Sequence, residues 1–376
     1  MKTPTLRIGA LPPLKISPGT LVTLAILAVI LYPALAAPAH RDPSTAVALA
    51  LAIAVFLIVS VLVHEISHAL SAKAFGGHVD HIALTLWGGH TQYRPQRSSA
   101  LASVTISLAG PASNLLLAAV ATGMGALSDL ASEPGLFWWF SARLNLVLAV
   151  FNLLPGLPMD GGRALESILG ALTGDRRLGT RITAWIGRAI AVAVVAWPLV
   201  LMARSSELDT LLLLTLLWAL MIAGMLWQGA SRALEAADLQ HRIDGLDAAA
   251  LAQPVRLVAP THPLGELGDG PELDRVLILE PPARAASHPA DLVGRAHRIH
   301  PEAARAVPAD RRGTTPASAV AGPIGEVGTL PAALRGDDLI TAMLSRPRPA
   351  YLVRGQDGQV LGVIMSADVN ALLRGR

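Results

Sequence analysis

Six runs of about 20 apolar residues limit what this chain can fold into, because each is long enough to cross the hydrocarbon core of a bilayer as a helix. Only 15% of the 376 residues are charged, against about 25% in a soluble globular protein. The sequence therefore predicts an α-helical, polytopic membrane protein that is embedded in a lipid bilayer. The six predicted spans cover residues 19–37, 44–74, 100–127, 136–154, 182–202 and 211–227.

The charged residues are unevenly distributed along the chain. About one residue in nine is charged in residues 1–240, and more than one in five in residues 241–376. This difference predicts a membrane domain over 1–240 and a water-soluble domain over 241–376. The chain contains no Cys, which excludes disulfides and thiolate ligands. Its net charge of +3 is small and its basic residues are scattered, so no nucleic-acid partner is expected.

The basic residues predict the orientation of the spans. Lys2, Arg7 and Lys15 precede the first span, and further cations are concentrated in residues 73–97 and 163–181. Because Lys and Arg are retained on the cytoplasmic side of a cell membrane, we expect these segments, the N-terminus and the tail beyond residue 240 in the cytoplasm. The alternative for the start of the chain is a cleaved signal peptide, since small residues follow the first apolar run.

The second predicted span contains the sequence His64-Glu65-Ile66-Ser67-His68. Residues i and i+4 share one face of a helix, so both imidazoles are able to reach one ion with Glu65 beside it. Two His ligands and a carboxylate that accepts a proton from water are typical of zinc metallopeptidases. Ionisable residues inside a span are costly and usually functional. A zinc site is therefore favoured over a structural polar cluster or a proton path.

A catalytic zinc usually has three protein ligands, and without Cys the third has to be a His or a carboxylate. Asp160 follows the fourth span where that span reaches the cytoplasmic side, and His64 lies about 20 residues into a helix that begins outside. The order and direction of the spans alone thus place His64 and Asp160 at similar depth in the membrane. The alternative is an ordinary interfacial loop with an exposed Asp160. Pro155 and Pro158 end the regular helix before it. The glycines that permit unusual turns here are Gly156, Gly161 and Gly162.

These segments resemble the motifs of the site-2 protease family of intramembrane metalloproteases. That family combines His-Glu-x-x-His on one span with Asn-x-x-Pro-x-x-Pro-x-Asp-Gly on a later one, and the chain matches the second motif over residues 152–161. Residues 110–114 resemble its Gly-Pro-x-x-Asn element, and the resemblance covers about residues 45–230. The resemblance implies one zinc ion held by His64, His68 and Asp160, Glu65 as general base, and substrate placed by Asn152 and Pro155.

The implied function is that of a zinc endopeptidase that cleaves transmembrane proteins near the cytoplasmic face. The family often processes membrane-bound regulators such as anti-sigma factors, and the composition of the chain favours a bacterial source. The main alternative is an ion transporter or channel in which the same side chains form an ion path that the tail gates. A third alternative is an inactive scaffold, against which the intact Glu65 argues.

Residues 76–97, between the second and third spans, are too short and too polar for another pair of spans. Their alternation around Gly88 and Gly89 predicts a β-hairpin with the two glycines at its turn. In the site-2 protease family a hairpin here dips into the membrane beside the active site, and this segment looks similar. An exposed strand edge holds an extended peptide by main-chain hydrogen bonds, so both glycines are predicted to help position substrate. His78, His81 and His90 are predicted to be polar loop residues.

The tail resembles a pair of CBS motifs. Residues 337–344 and 367–373 predict helices, and 350–354 and 359–365 predict strands. This order resembles a second CBS copy over 314–373, and a weaker copy covers 251–306 with a strand at 276–280. The resemblance implies an α/β domain that forms a homodimer and binds an adenine nucleotide such as ATP, with Asp368 as a contact. Met365 stands where the motif usually has Thr or Ser, which leaves a docking or dimerisation module as the alternative.

Overall fold

The computed structural model describes residues 5–7, 12–36, 42–85, 88–94, 99–205, 210–268, 270–280 and 294–375. The chain divides into two compact units, residues 1–237 and 238–376. The first unit consists mainly of helices, and the second contains a six-stranded sheet.

Long apolar helices make up most of the first unit. They are α1 Gly19–Ala36, α2 Pro43–Ala74, α3 Ala100–Ala126, α4 Glu133–Asn152, α5 Asp160–Thr173, α6 Arg176–Arg204 and α7 Thr210–Asp244, whose last residues belong to the second unit. All of them except α5 are long and apolar enough to cross a membrane. The prediction of six long apolar helices is therefore confirmed, and they are the helices of a multi-pass membrane protein.

Capping residues set the ends of these helices. The Asp42 side chain accepts hydrogen bonds from the backbone N–H groups of Ser44 and Thr45, so α2 begins at Pro43. Ser132 accepts from the backbone N–H of Gly135 in the same way, so α4 begins three residues earlier than predicted. It ends two residues earlier than predicted, at Asn152, because the proline three residues further on is incompatible with a continuing helix.

A four-stranded sheet packs on the C-terminal part of α2. Its strands, in spatial order, are β1 Thr5–Leu6, β2 Leu14–Ile16, β3 His78–Thr85 and β4 Gly88–Arg94. Strand β2 is parallel to β3, and β3 is antiparallel to β4. The apolar side chains that join the sheet to α2 and α3 are Leu14, Ala69, Ala72, Val79, Ile82, Leu84 and Ile106. The hairpin of β3 and β4 was predicted from the sequence, whereas the two N-terminal strands were not.

The turn of the hairpin lies two residues earlier than predicted. Thr85 pairs with Gly88 and Leu84 pairs with Gly89, so the connection is residues 86–87, which lie outside the described residues. Gly88, with a φ of 117°, and Gly89 are instead the first residues of β4. The physical reason is packing, because a Cβ at Gly89 would lie 2.5 Å from the Cγ atom of Glu65. A glycine is therefore needed at position 89, where β4 packs against α2.

The connection between α4 and α6 is folded tightly on itself. Residues 153–159 form an irregular turn, and α5 begins directly after it. Gly161 and Gly162, predicted in an irregular turn, lie in the first turn of α5. A Cβ at Gly162 would lie 2.2 Å from the carbonyl carbon of Gly156, so only glycine lets the helix start against this turn. Asp160 thereby becomes the first residue of α5.

The second unit is built on one mixed sheet in the order β10-β9-β8-β7-β6-β5. The strands are β5 Arg256–Val258, β6 Val276–Glu280, β7 Gly294–Ile299, β8 Ala321–Pro331, β9 Ala350–Arg354 and β10 Val360–Met365, and the helices are α8 Ala248–Leu251, α9 Pro301–Arg305, α10 Gly336–Ser345 and α11 Ser366–Arg374. The same strand pattern occurs twice. A parallel pair, β5 with β6 or β8 with β9, is followed by an antiparallel partner, β7 or β10. Residues 281–293, inside the first predicted CBS copy, lie outside the described residues.

Candidate metal centre

Three side chains from α2 and α5 converge on one point. The Nε2 atom of His64 lies 3.0 Å from Nε2 of His68. The Oδ2 atom of Asp160 lies 3.1 Å from the first of these nitrogens and 3.2 Å from the second. Both histidines are buried and the aspartate is half-buried. The sequence predicts these residues at similar depth, and the structure brings their donor atoms together.

The glycine at position 110 makes room for the two imidazoles. His64 and His68 are one turn apart on α2, and their rings face α3. A Cβ at Gly110 would lie 2.4 Å from Nε2 of His68 and 2.5 Å from Nε2 of His64. Any larger residue at this position of α3 would therefore occupy the space of the donor atoms.

The separations between the donor atoms fit a zinc ion. Zinc in proteins is mostly tetrahedral with bonds of about 2.0–2.1 Å to nitrogen and oxygen, which places neighbouring donors about 3.3 Å apart. The observed separations of 3.0, 3.1 and 3.2 Å are close to this value. Many catalytic zinc sites also have three protein ligands, and two imidazoles with one carboxylate are a common set.

The charge state of Asp160 suits a cation. Burial raises the pKa of this carboxyl group, but the hydrogen bonds with His64 and His68 outweigh burial and hold the pKa well below its usual range. The carboxylate is therefore ionised at neutral pH and contributes a negative charge next to two imidazoles.

Each imidazole is oriented through its other ring nitrogen. Nδ1 of His64 is hydrogen-bonded to Oδ1 of Asn114, and Nδ1 of His68 to the backbone carbonyl of Ile106 at 2.6 Å. The two Nδ1 atoms thus donate to fixed acceptors, and the two Nε2 atoms face a common point, where a bound ion would replace any proton that they share with Asp160.

A chain of buried amides continues from this site into the helix bundle. The Asn114 amide group donates to Oδ1 of Asn145 at 3.1 Å, and the Asn145 amide group donates to the backbone carbonyl of Ser141 at 2.9 Å. Both asparagines are 0% exposed. Asn145 was not among the predicted site residues, although an amide in the middle of an apolar span is the signal by which it could have been found.

Glu65 lies in the same pocket and is held by strand β4. Its side chain is buried, and its Oε2 atom accepts a hydrogen bond of 2.7 Å from the hydroxyl group of Thr91. Thr91 was also missed, because an isolated hydroxyl residue in a predicted strand gives no indication of its partner. The strand that opens with Gly89 thus both contacts Glu65 and fixes its carboxylate.

A cavity of about 200 Å³ gives access to these groups. Of the four residues predicted to position substrate, Asn152 and Gly89 line it, whereas Pro155 and Gly88 do not. His90 also lines the cavity, but neither it nor the other hairpin histidines join the donor cluster in the part of the chain that the structure describes. The lining residues are His64, Glu65, His68, Gly89, His90, Thr91, Tyr93, Ile106, Ser107, Asn152, Pro158, Asp160 and Arg163.

Asp368, the predicted nucleotide contact, belongs to the second unit. It lies exposed in the first turn of α11, and its Oδ2 atom accepts a hydrogen bond of 3.0 Å from the side-chain amide of Gln253.

Known proteins have sequences that are similar to this chain, and a family profile matches the part of it that carries this site. The sequence profile of peptidase family M50 matches residues 52–131 and 126–196. Several relatives carry the name "Putative zinc metalloprotease", among them two that match different shares of the chain. One, sll0528 of Synechocystis sp., is 28% identical over 245 residues, which are 65% of this chain and 63% of that protein. The other, YwhC of Bacillus subtilis, is 34% identical over an alignment of 146 positions, and the match covers 30% of this chain and 67% of that protein.

Among solved structures, the Site-2 Protease from Methanocaldococcus jannaschii has a TM-score of 0.43 and 23% sequence identity, over 62% of this chain and 95% of that chain. A TM-score below 0.5 does not establish a common fold, so the family assignment depends on the sequences. The chain spans less than two thirds of the length of sll0528. It does span two thirds of YwhC at more than 30% identity, and the family profile covers both His64 and Asp160. The chain therefore belongs to peptidase family M50, the family of the site-2 proteases.

Proposed function

We propose that this protein is an intramembrane zinc endopeptidase that cleaves transmembrane proteins near the cytoplasmic face of a bacterial cell membrane. The observation that carries the proposal is the convergence of His64, His68 and Asp160, with Glu65 in the same pocket, between helices that are long and apolar enough to span a bilayer. Ionisable groups at such a depth are costly and are retained where they have a function.

His64, His68 and Asp160 would hold the zinc ion. When bound, zinc supplies a Lewis acid that activates water and polarises the scissile carbonyl group. The protein's own contribution is orientation, because Asn114 and the backbone of Ile106 direct the two imidazoles towards a common point before any ion is present.

Glu65 acts as the general base. Its Oε2 atom is engaged by Thr91, while Oε1 has no hydrogen-bond partner among the described residues and is the atom available for a proton. The carboxylate takes a proton from the attacking water and later delivers it to the amine that leaves the substrate. The hydrogen bond from Thr91 keeps the side chain in one rotamer throughout.

Strand β4 and the turn before α5 are proposed to position the substrate. In the described part of the chain β4 is the last strand of its sheet, so its outer edge is available for an extended peptide, and Gly88 and Gly89 begin that edge beside Glu65. Asn152 donates its amide to the carbonyl of Leu148 at 3.0 Å, which leaves its own carbonyl oxygen for a substrate N–H group. Pro155 would act indirectly, by fixing the turn that leads to Asp160.

The orientation and the substrates follow the charge distribution. The segment before the first span and residues 73–97 and 163–181 together carry ten of the fifteen Lys and Arg residues of residues 1–240, so we propose that this end of the bundle faces the cytoplasm. Membrane-anchored regulators such as anti-sigma factors are the substrate class that this arrangement would serve. In the rival hypothesis, a transporter, the same residues would conduct ions instead of binding one.

We also propose that the second unit is a CBS pair that binds an adenine nucleotide and forms a homodimer. The repeated strand pattern supports two copies, and a cavity of about 260 Å³ is lined by Arg275 and Arg298 next to Gln253, the partner of Asp368. Calorimetric titration of the full chain with ATP should show binding that Asp368→Asn weakens. Absence of binding by the wild type would leave only docking or dimerisation for this unit.

Zinc content and peptide cleavage together test the protease function. Wild-type protein in detergent should contain about one zinc per chain, and His64→Ala and Asp160→Ala should each lose it. Glu65→Gln should keep zinc but fail to cleave a fluorescent, single-span peptide with an Ala- and Leu-rich span. Retained cleavage by Glu65→Gln would contradict the role of Glu65. A wild-type protein that has no zinc under metal-replete conditions but conducts ions into vesicles would favour the transporter.

A further inference from the structure

A second and larger cavity lies beside the pocket of the metal centre. Its volume is about 420 Å³, and it shares Thr91, Tyr93, Ile106 and Arg163 with that pocket. The remainder of its wall comes from Gln92 of β4, the end of α2 and the residues that follow it, the start of α3, and Arg176 at the start of α6. The shared residues make the two cavities direct neighbours, with the side chain of Arg163 bordering both.

The charged residues that line this second cavity in the described part of the chain are both basic. Arg163 and Arg176 line it, and no acidic residue does so among the residues that the structure describes. Neither guanidinium group forms an ion pair or a side-chain hydrogen bond with a described residue. The cavity therefore offers up to ten N–H donors and two positive charges that no part of the described chain uses.

The position of the cavity connects it to the proposed substrate path. Gly89 lines the metal pocket, and Gln92, three residues further along β4, lines the second cavity. At about 3.3 Å per residue, three residues of an extended peptide on the edge of β4 would cover the distance of about 10 Å between these two points. A substrate residue about three positions from the scissile bond would therefore reach the two arginines.

We propose that this cavity is a specificity subsite that binds an acidic side chain of the substrate, about three residues from the scissile bond. A carboxylate there would form charge-assisted hydrogen bonds with Arg163 and Arg176. The cytoplasmic flank of a typical membrane span is rich in Lys and Arg, which the two guanidinium groups would repel. The subsite thus selects substrates with an acidic flank and rejects the common basic one. This inference rests on the proposed protease function.

Matched peptides test the subsite through catalysis. Single-span peptides that carry Asp at one of the positions two to four residues from the cleavage site, on either side, are compared with peptides that carry the isosteric Asn. At one position we expect kcat/KM of the wild type to be about tenfold higher for Asp, and Arg163→Gln and Arg176→Gln each to reduce that ratio. Arg181→Gln is the control, since Arg181 is exposed on α6 and lines neither cavity.

Binding provides a readout that does not depend on turnover. Glu65→Gln protein should bind the favoured Asp peptide about tenfold more tightly than its Asn partner, and a further double change of Arg163→Gln and Arg176→Gln should abolish the difference. Equal binding and equal cleavage of Asp and Asn peptides would overturn the subsite while leaving the protease intact. A selectivity that survives the double change would overturn it as well. If no peptide is cleaved but the binding difference is present, the protease function fails and the acidic subsite stands.

Discussion

Replacing Gly110 by Ala tests the placement of the metal ligands without changing any of them. The added methyl group would lie 2.4 Å from Nε2 of His68 and 2.5 Å from Nε2 of His64, whereas ordinary van der Waals contact begins at 3.4 Å. The rings would thus have to retreat by about 1 Å. They are restrained on the opposite side by their hydrogen bonds to Asn114 and Ile106.

The expected effect is a large loss of zinc affinity. Metal–ligand distances tolerate only about 0.2 Å, so a shift of about 1 Å displaces two of the three donors beyond that tolerance. Changes to the groups that merely orient ligands already cost about 10–100-fold in metal affinity. We therefore expect Gly110→Ala to weaken zinc binding by about 100-fold or more, which corresponds to about 2.7 kcal/mol.

Zinc affinity is measured by competition with a chelator in detergent solution, and the thermal midpoint of the metal-free protein is recorded beside it. Gly123→Ala is the matched control, because it lies on the same helix and its Cβ would meet no atom within 4 Å. It should retain wild-type zinc affinity, and its thermal midpoint should not fall, since Ala is the better helix former by about 1 kcal/mol. Wild-type zinc affinity in Gly110→Ala would refute the placement of the imidazoles against α3.

Three further substitutions test the supporting groups. Asn145→Leu removes the acceptor of the buried Asn114 amide at nearly constant side-chain volume. We expect zinc affinity to fall about tenfold in the chelator assay. Unchanged affinity would show that the chain of amides does not orient the His64 imidazole. Thr91→Val should lower kcat at full zinc content, because it removes the hydrogen bond that holds the Glu65 carboxylate. Thr91→Ser keeps the hydroxyl group and should retain activity. Equal turnover by the Val and Ser variants would contradict the role of Thr91 in holding Glu65. Gly89→Ala should displace the Glu65 side chain, whose Cγ atom would lie 2.5 Å from the new Cβ, and abolish cleavage with zinc retained; wild-type cleavage would argue against that contact.

Length and hydrophobicity were sufficient to predict the six long helices, because a span of about 20 apolar residues has few alternatives to a helix. The i, i+4 spacing was likewise sufficient to place His64 and His68 on one face of α2. Topology placed Asp160 at a similar depth, since the second and fourth spans cross the membrane in the same direction, and the family resemblance then paired it with the two histidines. The first two inferences use a regularity that is visible within one segment of sequence, and the third uses the order of the spans and a known motif.

The features that were missed depend on contacts between segments. Strands β1 and β2 have two and three residues, too few for a periodic signal, and β2 exists only because β3 is available to pair with it. The turn of the hairpin was assigned to Gly88 and Gly89, because glycines are typical of turns. The structure requires a glycine in β4 because Glu65 packs against that strand. Asn145 matters only through Asn114, thirty-one residues away.

Strand β2 determines which edge of the four-stranded sheet is open to other peptide chains. Unpaired strand edges recruit other chains non-selectively, and the long inner strand β3 would present such an edge if β2 were removed. By covering it, residues 14–16 leave β4 as the long strand at the edge of the sheet in the part of the chain that the structure describes, and β4 lies on the side of the metal pocket. The first residues of the chain thus act as a blocking strand, and we expect their deletion to create a competing, unproductive docking edge that captures peptides without presenting them to Glu65.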